Sequence, residues 1–578
     1  MAYTHALYVS PTGDDSAAGT EEHPFATVDR ARRAAREVAG EVVVHLRAGT
    51  YAGPWVFTAE DSGTYQAYGY GTSAQEEVVV GGGREITGWR HGSGGVWVAD
   101  VGALDTRHLT VDGRRVERAG IDGIPGNVSE NEDGYVTDVA LEWRTGVEFV
   151  HRGVYPWTEA RCAVESVEGG VIRMKQPAFG WARELYNSTW DGHTSSGPGL
   201  PTRVENDPSF LREPGTFALD RSRPGHHVLH YLPRPGEDPA TTRVVAPESE
   251  TLVSVTGASG LSFRGLVFAD TTWLRPVSDR GFLHYHGSGY HDGGRIDTVV
   301  VVEGQSWLTV TGEPETVPAC VTVVDATGVG FEDCRFTRLG ATALGVTGGA
   351  DVVVRGCDFD NLAAGALTLT GTRGAVVEDN VVRRVGLDHS GSPGISLLGT
   401  EACTVAHNLV DDVPHCGIVA GPARGTRILR NHVTRSMGVL ADGGGIYLSG
   451  PQGTSHDDGA QVRGNVVTDT RTPYNFALYT DYGASWVTVA DNVVRRADNT
   501  AVLHVSPPLD NVVYRGNVWD ADPVGSDAVP DTVTYEDNRT LTDPVELDAA
   551  QALAGAGPRR AASFAMVTTG GDSSATTA

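Results

Sequence analysis

The chain has 578 residues, with 45 Lys and Arg against 73 Asp and Glu, a formal net charge of −28. So acidic a balance excludes nucleic acid as the main partner, because phosphate binding needs a basic face. No apolar run reaches the roughly 18 residues that a membrane-spanning helix needs, so no membrane partner is expected. Glycine is the outlier, with 74 copies spread among Val- and Thr-rich segments. Many short strands joined by tight turns have that composition.

The opening MAYTHALYVS lacks a basic stretch ahead of an apolar core, so a cytoplasmic address is expected, or a secreted one if a leader is missing. PFATVDRARRAAREVAG (24–40) predicts an amphipathic helix with Thr27 as N-cap and Gly40 at its end. Such a helix would cover the open end of the first coil of a repetitive rod. VVVHLRAGTY follows as a strand, and residues 1–85 are expected to hold this cap and the first coils. Between 86 and 245 the pattern changes to short alternating strands separated by Gly turns, which predicts an inserted β-rich subdomain. The rod resumes over 246–540, starting with LSFRGLVF around Leu266. Residues 541–578 read as a tail with one short helix in ELDAAQALAGAG and a disordered TTGGDSSATTA end.

From residue 330 a phrase recurs: FEDCRF, VRGCDF, VEDNVV, VAHNLV, ILRNHV, VRGNVV, VADNVV, YRGNVW. Its central positions are Cys334, Cys357, Asn380, Asn408, Asn431, Asn465, Asn492 and Asn517, spaced by 23, 23, 28, 23, 34, 27 and 25 residues. A second row follows in Leu344, Leu367, Ile395, Ile418, Ile446, Leu478 and Val502, offset by 10, 10, 15, 10, 15, 13 and 10. Two rows kept in phase across variable gaps predict the stacked coils of a right-handed parallel β-helix. The fold class is therefore all-β, with an N-terminal capping helix and an inserted β-rich subdomain. A buried Asn row has a structural reason, since amides can bond along the stack. Cys162, Cys320, Cys334, Cys357, Cys403 and Cys416 form no CxxC pair and read as buried free thiols.

The offsets locate lengthened loops, VGLDHSGSPG, SMGVLADGGG and DTRTPYNF, on one corner of the rod. That corner is the expected cleft wall. Side chains alternate along a strand, so Tyr447 and Tyr479 follow the inward row as an outward aromatic platform for a sugar, with Asp481 on the same face. Asp442, in ADGGGIY, opens the neighbouring strand. Paired carboxyls across a cleft serve glycosidic cleavage as acid and as base or nucleophile. On straight strands the two would sit too far apart, so the segment before Ile446 must fold back. His415 and Gln452 are candidates to orient the sugar. Trp273, Asp388 and His389 are further candidate contacts.

His284, His286, His291 and Asp292 invite a zinc reading, but nothing rigid is evident to set ligand geometry, and no metal is assigned. HDDG at 456–459 has calcium-loop composition without the ligand spacing. No cofactor is expected.

YVSPTGDDSAAGTEEHPFATVDRARRAARE, VVGGGREITGW, YPWTEARCAV, DRSRPGHHVLHYLPRPGEDP, LSFRGLVFADTTWLRP, LADGGGIYLSGPQGT and ALYTDYGAS occur in that order. Together they resemble bacterial right-handed parallel β-helix proteins of the glycoside hydrolase family 141 type, over about residues 7–555. The resemblance implies a fucosidase- or xylanase-like activity on plant-type poly- or oligosaccharides and a catalytic pair at Asp442 and Asp481. LYTDYGAS departs from the family phrase, since Tyr482 replaces an acidic neighbour. Alternatives are a polysaccharide lyase acting on uronates and a non-catalytic carbohydrate-binding rod. The lyase would need a cation against the uronate carboxylate, and no basic residue stands out near the acids.

Overall fold

The computed structural model describes residues 4–144, 146–190, 192–285, 287–526 and 528–559. Short strands return once per repeat, and each pairs in parallel with its equivalent one coil away. The chain is a right-handed parallel β-helix, the crossover hand that twisted strands favour. Among the described residues the rod's strands fall into one 22-stranded and one 12-stranded sheet.

Register explains the two sequence rows. Leu344, Leu367, Ile395, Ile418, Ile446 and Leu478 stack directly over one another. All are buried in a single core running the length of the rod. The last member of the expected row is displaced: Leu478 pairs with Ala501, and Val502 pairs with Tyr479. An apolar pattern alone does not separate two adjacent apolar residues.

The Asn row is a continuous hydrogen-bonded ladder. The Nδ2 of Asn380, Asn408, Asn431, Asn465 and Asn492 each donates to the Oδ1 of the next asparagine, at 2.9 to 3.0 Å. The same Nδ2 groups donate to backbone carbonyls, and each residue's own N–H donates to the next Oδ1. Asn517 extends the ladder to Asn538 at 2.8 Å. Each amide thus satisfies backbone groups that the turn would otherwise leave buried and unpaired. All six cysteines are buried and free.

The N-terminal helix spans Val28–Arg36, shorter than the apolar pattern suggests. Thr27 is extended and its side chain accepts from the Arg30 N–H at 3.1 Å, so the helix cannot begin earlier. Its face of Val28, Ala31 and Ala34 joins the rod's core at the first coils. A C-terminal helix, Pro544–Ala554, starts at the Asp543 cap and ends at the left-handed Gly555. The TTGGDSSATTA segment lies outside the described residues.

The chain leaves the rod twice. Val78–Gly81 and Val267–Ala269 are neighbouring coils, with Val79 opposite Val267, yet the intervening chain forms separate sheets from Gly83 to Pro247. A second excursion runs between Val267–Ala269 and Ala319–Val324. Its strands Phe282–Tyr285 and Ser306–Thr311 add to sheets of the first, through Arg161 opposite Phe282 and Ser188 opposite Leu308. The sheets that the two excursions build jointly share one core, including Phe149, Phe179, Leu283 and Leu308, while an eight-stranded sheet of the first has its own around Trp97 and Phe217. They form one side body.

A buried ionic seam ties that body to the rod. Arg107, Arg115, Arg118 and Arg161 meet Glu148, Glu159, Glu205 and Asp388, four charges of each sign. Asp388 belongs to the rod's first lengthened loop and receives Arg115 at 2.7 Å, Arg118 at 2.8 Å and His108 at 3.0 Å. Such a cluster is tolerable only because every charge is paired.

Candidate active site

The second lengthened loop carries Asp442, and the strand that follows the third carries Asp481. Asp442 adopts a left-handed conformation, φ 52°, which Asp tolerates better than most side chains. This turn folds the segment back toward the next coil, and the Asp442 N–H donates to the Tyr474 carbonyl at 2.7 Å. Gly443 follows because a Cβ there would fall 2.7 Å from His415 Nε2 and 2.8 Å from Cys416 Sγ. The side body touches this turn too, since the Ala441 N–H donates to the Pro156 carbonyl at 3.0 Å.

Strands Gly444–Pro451 and Phe476–Ala490 then run side by side, with Tyr447 opposite Tyr479 and Ser449 opposite Asp481. The two tyrosines bond crosswise to the acids. Tyr447 Oη donates to Asp481 Oδ2 at 2.9 Å, and Tyr479 Oη donates to Asp442 Oδ1 at 3.1 Å. The Tyr479 hydroxyl also acts on Asp481, holding its carboxyl toward the ionised form. The crosswise bonds tie together two residues from successive coils. Both acids stay partly open to solvent.

The environment sets their protonation. Burial, together with the neighbouring Asp481 carboxylate, pushes the Asp442 carboxyl up to about 7. Burial also raises Asp481, but hydrogen bonds from Tyr447, the Tyr482 N–H and Tyr479 oppose the rise. The two carboxyls thus have unequal support: burial and Asp481 keep Asp442 protonated toward neutrality, while three hydrogen bonds offset the effect of burial on Asp481. Tyr447 and Tyr479 are pushed well above the usual phenol range by burial and the nearby acids, so they stay donors.

Other sequence candidates lie elsewhere than expected. Tyr447 and Tyr479 are buried, with rings 5.1 Å apart and edge to face, so they position the acids instead of presenting a platform. His415 is fully buried beneath the Asp442 turn, where its Nε2–H donates to the Ala441 carbonyl at 3.2 Å. Burial, with the nearby His284, lowers it to about 4, so it supports the turn as a neutral ring and does not face a sugar. Gln452 is buried and its amide donates to the Gly421 and Ser449 carbonyls at 2.7 and 3.0 Å, a turn brace. Trp273 is buried against Phe282, Tyr290 and His389. His389 is buried beside Phe282, with ring centroids 4.6 Å apart. Asp388 is consumed by the ionic seam, where Arg115 and Arg118 hold it well below the usual carboxylate range against the effect of burial. These three lie at the joint between rod and side body because that joint covers the first lengthened loop.

The metal-like motifs are dispersed. His284 Nε2–H donates to the Gly287 carbonyl at 2.7 Å, His291 packs against Trp181, and Asp292 pairs with Arg275 and Arg280. His286 lies outside the described residues. Among the described residues no three His, Cys, Asp or Glu side chains could hold a metal ion together. In HDDG, Asp458 caps Thr454 and Ser455 and pairs with Arg424.

Sequence reasoning missed two residues. Tyr474 and Tyr482 are exposed beside the acids, at 50% and 47%. An alternating pattern cannot place them, because Tyr474 precedes its strand and Tyr482 sits in a bulge.

Comparisons with known proteins concern the fold. A family model of the right-handed β-helix region matches residues 300–467. No curated protein sequence matches the chain. A solved structure described as a glycoside hydrolase superposes with TM-score 0.73 at 24% identity, covering 96% of this chain and 99% of that one. The complex of XylC with xylose aligns with TM-score 0.47 at 12% identity, over 89% of this chain and 75% of the other. A rhamnogalacturonan lyase aligns with TM-score 0.33 at 12% identity, over 91% and 90%.

Proposed function

We propose that this protein is a glycoside hydrolase of the family 141 type, cleaving a glycosidic bond in a plant-type poly- or oligosaccharide that carries fucosyl or xylosyl units. The observation that carries the reading is the crosswise pair: Tyr447 on Asp481 and Tyr479 on Asp442, with Asp442 raised to about 7. Asp442 is the general acid that protonates the leaving oxygen. Asp481 is the base or nucleophile on the other side of the bond. Once Asp442 has given up its proton, Tyr479 stabilises the resulting carboxylate.

Among the described residues, the groups acting on these carboxyls are carboxyl, phenol and backbone, with no Arg or Lys. A uronate lyase must neutralise a substrate carboxylate, so this site suits a neutral sugar better. The glycoside hydrolase that shares the fold over nearly its whole length lends the reading support. The test is a screen of aryl fucosides, xylosides, arabinosides and galactosides against the wild type, Asp442→Asn and Asp481→Asn. Hydrolysis by the wild type and its loss in both variants is the expected result. Turnover undiminished in both variants would defeat the proposal.

A further inference from the structure

The two tyrosines missed by the sequence pattern stand at the acids from opposite ends of one stretch of chain. The Tyr474 carbonyl is the acceptor that holds the Asp442 backbone, so this residue is fixed to the acid it flanks. Its ring meets Phe476 edge to face at 5.3 Å, Phe476 packs on Tyr479 at 4.4 Å, and Tyr479 bonds Asp442. An unbroken aromatic line runs from the surface to the carboxyl.

Tyr482 follows Asp481 directly. Its φ of 43° is a left-handed value that a bulky side chain adopts only under strain. The pairing also breaks here: Ser449 opposes Asp481 and Pro451 opposes Ser485, so two steps on one strand face four on the other. Bulges of this kind re-aim side chains and cluster next to functional sites. This one lifts Tyr482 into solvent beside the acid.

Two half-exposed rings, one braced by packing and one by a strained bulge, flank carboxyls on which no Arg or Lys acts among the described residues. We infer that Tyr474 and Tyr482 are the stacking walls of the cleft, taking the apolar faces of neutral sugar rings on either side of the scissile bond. The inference deepens the hydrolase reading and rests on it for the bond, though not for the binding.

The test uses the full chain carrying Asp442→Asn, titrated calorimetrically with xylotetraose, a fucosylated xyloglucan oligosaccharide and tetragalacturonate. Adding Tyr474→Ala or Tyr482→Ala should weaken binding of a neutral probe about 5–10-fold, the range expected for one aromatic contact. Tyr→Phe at either position should stay within about twofold, because the ring face is kept. In the otherwise native enzyme the same Ala changes should raise KM with little change in kcat, at unchanged Tm. Tetragalacturonate should bind more weakly than the neutral probes. Ala variants that bind like their parent, Phe variants that fall as far as Ala, or absence of binding by both neutral probes would each overturn the inference. Binding that is lost on Ala substitution in a protein without hydrolase activity would remove the catalytic reading and leave the walls standing. Robust hydrolysis with KM unmoved by either Ala change would do the reverse.

Discussion

Tyr479 Oη donates a 3.1 Å hydrogen bond to Asp442 Oδ1, although 37 residues separate the two in sequence. The same hydroxyl favours ionised Asp481. Each acid thus has a phenol donor of its own, Tyr479 for Asp442 and Tyr447 for Asp481. Removing the Tyr479 hydroxyl should move the acid pair in a defined direction.

In Tyr479→Phe the hydrogen bond that lowers Asp442 is lost, while burial and Asp481 still raise it. The alkaline limb of kcat/KM, which reports loss of the acid's proton, should lie near pH 7 in the wild type. In the variant it should move up by roughly half a unit to one unit. A pH–rate profile with an unmoved or lowered alkaline limb would contradict this assignment.

Asp442→Asn and Asp481→Asn should each lower kcat by about 10²–10⁴, the usual range for losing a positioned acid or base. The secondary structure should persist, since neither residue belongs to the core. Steady-state kinetics with circular dichroism decides the point.

The raised Asp442 also bears on stability. A carboxyl whose folded pKa exceeds its unfolded value of ~3.9 destabilises the fold as pH rises past that value, and fully so above the folded pKa of about 7. Asp442→Asn should therefore stabilise the fold at pH 8 by about 1 kcal/mol, read as a higher Tm, and leave it nearly unchanged at pH 4. Thermal melts at both pH values test the sign.

Asp388 has the opposite sign. Arg115 and Arg118 depress it, so its contribution is present above ~pH 4 and is lost only in strong acid. Asp388→Asn would leave four buried arginines facing three carboxylates, at a loss of about 3–5 kcal/mol. The expected readout is a lower urea midpoint and earlier proteolysis of the side body. Melting like the wild type at pH 7 would show the seam to be unimportant.

Asn431 sits mid-ladder, donating to Asn465 and receiving from Asn408. Asn431→Ala should leave buried backbone and amide groups unpaired and destabilise the rod by about 1–3 kcal/mol. Hydrogen exchange should rise first in the coils on either side.

Repetition made the rod legible from the text. The phase between the Asn row and the aliphatic row persists through gaps of unequal length, because every coil must bury the same positions against its neighbours. Lengthened loops stood out for the same reason, and they led to Asp442 and Asp481. Alternation failed for Tyr447 and Tyr479. It assigned them outward, correctly as to the sheet's face, but it could not show that neighbouring coils and loops, through Cys416, Val419, Met437 and Phe476, bury them. Loop position points Asp388 and His389 to the cleft, and only the structure shows the side body already seated on them and on Trp273.

What the amino-acid order determined by itself is the stacking of coils and the corner where they lengthen, since both depend on local periodicity. What only the tertiary structure decided is the meeting of the two carboxyls. That depends on a left-handed turn at Asp442, crosswise phenol bonds between coils and a bulge after Asp481. Each is a contact between distant segments, and no period in a single chain encodes it.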